Sequence, residues 1–129
     1  MKKRILPLLF SALLMLTACG GAASGASYQE ISQQEAKKRM DAGGVLVLDV
    51  REPDEYNSGH IPGAALLPLG TISEASAASV IGGKDAEVLV YCRSGSRSKQ
   101  AAAMLARLGY TNIFEFGGIM TWPYEVTAE

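Results

Sequence analysis

The stretch VLVYCRSGSRSKQAA, residues 88–102, joins an apolar run to a cysteine, two arginines and three serines. Val88 to Tyr91 are apolar without alternation, which suits a strand buried on both faces. After the cysteine, SKQAAAMLARLG places Ala101, Met104, Leu105 and Leu108 on one helical stripe that ends at Gly109. Cys92 therefore stands where a strand ends and a helix begins. In a parallel α/β sheet this is the ligand-binding edge.

Working outward, the chain repeats the same alternation. ISQQEAKKRMDAGG has Ser32 and Glu35 at capping-box spacing and Gly43 at its close, so it predicts a short helix. VLVLDV (45–50) and EVLVY (87–91) are apolar strands. Between them lie the short helix EPDEYNSG, with Pro53 early, then HIPGAALLPL, a loop into a short strand. TISEASAASVIGG predicts a helix, NIFEF a strand, and GGIMTW a turn toward a terminal helical stretch. Strands alternating with helices predict an α/β fold with a parallel sheet.

The first residues follow a different grammar. MKKR is a basic start, and ILPLLFSALLML is apolar but short for a membrane span. LTAC, Leu16 to Cys19, resembles the bacterial lipoprotein box, which implies cleavage before Cys19 and lipidation of its sulfur, palmitate included. Residues 1–18 are then a signal peptide, and 19–27 a lipidated cysteine with a Gly/Ala/Ser tether. Residues 28–129 form one domain. The resemblance implies a lipid-anchored protein of the cell envelope, facing away from the cytoplasm; which membrane holds it stays open, the outer one included where the cell has one.

Without Lys2, Lys3 and Arg4, nine basic residues face thirteen acidic ones, a formal balance of minus four. No basic stripe points to nucleic acid. With Cys19 lipidated, Cys92 is the remaining thiol, which excludes an intramolecular disulfide and a cysteine-based metal cluster. Neither a metal nor a cofactor is expected, and the domain is expected to be a monomer.

The loop CRSGSR carries the chemistry. The N–H groups and positive dipole end of the following helix point back at Cys92. Small residues and Gly95 let backbone N–H groups converge into an anion cradle, and Arg93 and Arg97 add positive charge. All of these favour thiolate, so the thiol of Cys92 is expected below the ordinary range, as a nucleophile in an anion pocket. Asp49 and Arg51 follow a strand and could reach this pocket behind the cradle, although fixing loops by hydrogen bonds and an ion pair explains them better. His60 orders a turn, and Trp122 belongs to core or pocket wall.

Together, VLDVREPDEYNSGHIPGA, CRSGSRS and GGIMTW, in this order and spacing, resemble a single-domain rhodanese, a sulfurtransferase. The resemblance covers about Tyr28 to Tyr124. It implies a three-layer sandwich whose central five-stranded, mainly parallel sheet has helices on both faces. It also implies that Cys92 carries a persulfide, with Arg93, Ser94, Gly95, Ser96 and Arg97 forming the substrate-binding cradle around the sulfur. The expected partners are a small sulfur-containing anion such as thiosulfate and a thiol or cyanide acceptor. Four residues separate Cys92 from Arg97. Protein-tyrosine phosphatases use a loop one residue longer, so the ring here is sized for sulfur. Two alternatives stand beside the transferase: phosphatase or arsenate reductase chemistry on the same loop, and a tethered sulfane-sulfur carrier with little turnover.

Overall fold

A computed structural model describes residues 27–129; the expected signal peptide, Cys19 and nearly all of the tether lie outside the described residues. Five strands are present: β1 (Gln29–Glu30), β2 (Leu46–Asp49), β3 (Ala65–Leu66), β4 (Val88–Cys92) and β5 (Ile113–Gly118). Four α-helices connect them: α1 (Gln33–Ala42), α2 (Pro53–Ser58), α3 (Glu74–Ile81) and α4 (Ser96–Arg107). Short 3-10 turns cover Leu69–Thr71 and Ile119–Thr121. The sheet order is β1-β5-β4-β2-β3, and every pair is parallel.

Local chemistry accounts for the element ends. The Ser32 hydroxyl accepts from the Glu35 N–H, and Gly43 ends α1. Pro53, which lacks a donor, occupies the first turn of α2, where none is needed. Ser73 and Ser76 cap α3 reciprocally.

Side-chain alternation divides the core in two. Leu48, Val50, Val88, Val90 and Cys92 point to one face, where they meet Ala77 of α3 and Ala101, Ala102 and Leu105 of α4. Val47, Leu89 and Tyr91 point to the other, against Ala36 of α1, Ile61, Phe116 and Trp122. Each fully buried Val or Leu contributes about 1.5–3 kcal/mol. The result is the expected α/β sandwich of three layers.

Two expectations need correction, and one strand was not foreseen. The fully buried face of α4 is Ser98, Ala101, Ala102, Leu105 and Ala106, whereas Met104 and Leu108 are half-buried. Small side chains let the helix lie close on the sheet, and the long ones flank the contact. No helix follows Trp122: Pro123 interrupts the chain, and Thr127 instead forms an antiparallel bridge with His60. The edge strand β1 had no signal of its own, being two exposed polar residues paired with Phe114 and Glu115.

Candidate active site

β4 lies at the centre of the sheet, and the chain changes direction across the β2–β4 pair. The carboxyl ends of those two strands flank the switch point, where α/β sheets open a crevice. Cys92 ends β4 there, 1 % exposed, with its side chain on the α4 side. Gly95 adopts φ +107°, a left-handed conformation natural to glycine, and turns its N–H onto Cys92 Sγ at 3.0 Å. Ser98 Oγ lies 3.3 Å from the same sulfur. Burial alone pushes the thiol up. The Ser98 hydroxyl and the N–H groups of Ser98, Gly95 and Ser94 outweigh it, and the thiol lies below its ordinary range. This arrangement suits a nucleophilic sulfur that receives and releases anions.

The two loop arginines are not equivalent. Arg97 holds Glu55 of α2 in a bidentate pair, Nη1–Oε1 2.6 Å and Nη2–Oε2 2.9 Å. The pair braces α2 against α4, and the charge of Arg97 is also felt by Cys92. A cation is repelled by the positive ends of N–H donors and drawn to a fixed carboxylate, which accounts for the pairing. Among the described residues, no carboxylate lies within ion-pair distance of exposed Arg93. A depression of about 310 Å³ beside the loop is lined by Arg51, Asp54, Glu55, Arg93, Ile119 and Met120. Ser94 lies in the loop and Ser96 is the first residue of α4, and both are exposed.

Asp49 and Arg51 form a buried ion pair, Nη2–Oδ2 2.7 Å. Tyr91 donates to Asp49 Oδ2 at 2.6 Å, and Arg51 donates to the Gly59 carbonyl at 2.7 Å. The pair therefore fastens the β2–α2 turn to β4 and to the end of α2. His60 stacks on Tyr56, ring centroids 3.8 Å apart, with Nδ1 3.0 Å from the Tyr56 carbonyl. It orders a turn. Trp122 packs between Phe116 and Tyr124.

Several neighbours of the sulfur were missed in the sequence. Ser98 reads in the sequence as a helix-start residue without a site role, yet it is fully buried against Cys92. Glu115 is 2 % exposed and lies 2.7 Å from Ser98 Oγ. The available signal was an acid inside the apolar strand Ile-Phe-Glu-Phe, since a buried carboxylate needs partners. Gly118 pairs with Cys92 across β5 and β4, after a register shift between Val90 and Cys92.

Comparison with known proteins agrees with this geometry. The sequence profile of the Rhodanese-like domain matches residues 32–123. A sulfurtransferase of Allochromatium vinosum is 39% identical over 95 residues, covering 72% of this chain and 86% of that protein. The thiosulfate sulfurtransferase PspE of Escherichia coli is 39% identical over 72 residues, covering 56% of this chain and 68% of that one. A putative sulfur carrier protein of Bacillus subtilis, YrkF, is 34% identical over 101 residues, which cover 77% of this chain and 53% of its own length. Among solved structures, a rhodanese-related protein of Thermoplasma volcanium superposes with a TM-score of 0.65 at 30% identity, over 79% of this chain and 100% of that one. The chain belongs to the rhodanese family. Its fold and its sulfurtransferase relatives make it a rhodanese-like sulfurtransferase.

Proposed function

We propose that Cys92 is the sulfur-carrying nucleophile and that the protein moves sulfane sulfur from a donor such as thiosulfate to a thiol or cyanide. The observation that carries this reading is the pair of donors on Cys92 Sγ, the Gly95 N–H at 3.0 Å and the Ser98 hydroxyl at 3.3 Å. The thiolate attacks the outer sulfur of thiosulfate. The donor's sulfur–sulfur bond breaks, its electron pair leaves on sulfite, and a persulfide remains on Cys92. The acceptor then attacks the outer sulfur and returns the electron pair to Sγ, giving double-displacement kinetics. Backbone N–H groups of residues 93–97 hold the persulfide, and unpaired Arg93 at the rim draws in the anionic donor. A phosphatase would need an acid to protonate its leaving group; Asp49 is committed to Arg51 and Tyr91, while Asp54 lines the depression beside the loop.

The test is thiocyanate formation from thiosulfate and cyanide. Turnover by the wild type that is lost in Cys92→Ser is expected; equal rates in both would sink the reading. The name of the Bacillus subtilis relative favours a second reading, a sulfur carrier serving a protein acceptor. Mass analysis showing one sulfur atom gained at Cys92 after thiosulfate, with negligible multiple turnover, would select it.

For the N-terminus, the proposal is that Leu16–Cys19 directs lipidation of Cys19 and holds the domain at the extracytoplasmic face of a membrane. The support is the basic start, the short apolar run and the box in sequence. Labelled palmitate should enter the wild type and not Cys19→Ala; label retained in the variant would exclude it.

A further inference from the structure

Glu115 of β5 is buried, and the transfer scheme above makes no use of it. Its Oε1 accepts the Gly117 N–H at 2.7 Å and lies 2.7 Å from Ser98 Oγ. Ser98 Oγ in turn lies 3.3 Å from Cys92 Sγ. The carboxylate therefore reaches the sulfur through a single hydroxyl.

A serine hydroxyl has one hydrogen to donate. Around Ser98 Oγ stand four acceptors: Glu115 Oε1, the Gly95 carbonyl at 3.0 Å, and the Gly117 carbonyl and Cys92 Sγ, both at 3.3 Å. When Cys92 is a thiolate, two buried anions face one donor. The other charged groups around them are few. Lys99 of α4 has Nζ 3.7 Å from Glu115 Oε2 and 3.9 Å from Glu30 of β1. Arg97 is held by Glu55 of α2, and Arg93 stands exposed on the loop.

We propose that Glu115 is a positioning residue for Cys92, competing with the cysteine sulfur for the one hydroxyl hydrogen of Ser98 as the sulfur is loaded and discharged. The proposal rests on the sulfur-transfer reading. In the persulfide the negative charge resides on the outer sulfur, so Sγ needs no strong donor and Ser98 donates to Glu115. On discharge the bond between Sγ and the outer sulfur breaks and its electron pair returns to Sγ. A new bond joins the outer sulfur to the acceptor. Ser98 then turns its hydrogen onto the thiolate, while Glu115 keeps the Gly117 N–H and the field of Lys99. By competing for the hydroxyl, and so weakening its donation, and by adding its own charge, the carboxylate keeps the thiolate more basic than the loop alone would. A more basic thiolate is the stronger nucleophile.

The test is the pH profile of Cys92 alkylation by iodoacetamide in the full chain, for the wild type, E115Q, S98A and the double variant. E115Q is expected to lower the midpoint by about one pH unit. In the S98A background the same substitution should shift it by less than half as much, because the shared hydroxyl is gone. A midpoint unchanged or raised in E115Q overturns the proposal, and so do equal shifts in the two backgrounds. Should E115Q fail to fold, E115D draws the carboxylate back from Ser98 and must lower the midpoint in its place. Thiocyanate formation by the wild type reads the reaction separately: its absence with the shifts intact would remove the transfer reading and leave the control of the sulfur standing.

Discussion

Arg97 of the cysteine loop and Glu55 of α2 grip each other through two parallel hydrogen bonds of 2.6 and 2.9 Å. The contact joins residues 42 positions apart and ties the helix behind the sulfur to the helix that follows β2. Its hydrogen bond to Arg97 holds the Glu55 carboxyl well below its ordinary range, at about 2 against 4.5. Both side chains are partly exposed, at 30% and 26%, so solvent screens the pair and its contribution is about 1 kcal/mol. A carboxyl that titrates lower in the folded state stabilises above its unfolded value and loses that contribution on acidification. Glu55→Gln should therefore lower stability to urea at pH 7, with the gap closing between about pH 4.5 and 2. A gap independent of pH would show that the charge is irrelevant.

Gly118 is expected to be intolerant of any side chain. A Cβ there would lie 2.0 Å from the Arg93 carbonyl oxygen and 2.6 Å from the Ser94 nitrogen. Both are backbone atoms of the sulfur loop and cannot swing aside. Gly118→Ala should cost about 3 kcal/mol of stability. Displacing the donors around Cys92 should also cut sulfur transfer roughly a hundredfold. Denaturation midpoints and thiocyanate rates check the two together, and a fully active variant would contradict the packing.

Arg51→Met should leave the Asp49 carboxylate buried without its cation. Loss of one partner from such a pair costs about 3–5 kcal/mol. Tyr91→Phe keeps the ion pair and removes only the hydroxyl that joins Asp49 to the Ile61 N–H, a loss of about 1–2 kcal/mol. The ranking of urea midpoints, wild type above Tyr91→Phe above Arg51→Met, is the measurement; the reverse order would refute the network.

Cys92 should react with iodoacetamide at half its maximal rate below the pH of about 8.5 expected for a free thiol. The cause is the excess of hydroxyl and N–H donors over burial. In denaturing urea the midpoint should return to that ordinary value. Coincident native and denatured profiles would mean that the donors do not act on the sulfur.

Much of this architecture was legible without coordinates. The unbroken apolar runs at 45–50 and 87–91, with helical periodicity between and after them, could satisfy their backbone and bury both faces only as parallel strands under helices. The terminal segment misled because hydrophobic residues alone do not make a helix; Pro123 and the pairing of Thr127 with His60 decided it.

For the site, the sequence by itself determined where the sulfur stands. A cysteine at the end of a buried strand, a glycine three residues on, and a helix start behind them are neighbours along the chain. Their convergence follows from local geometry. Only the tertiary structure decided what surrounds that sulfur. Parallel pairing of β4 with β5 sets Gly118 opposite Cys92 and brings Glu115 to Ser98 across 17 residues; the fold also brings Glu55 of α2 to Arg97 across 42. The physical reason is range: backbone preferences act over a few residues, whereas these contacts join segments that only the folded sheet holds together.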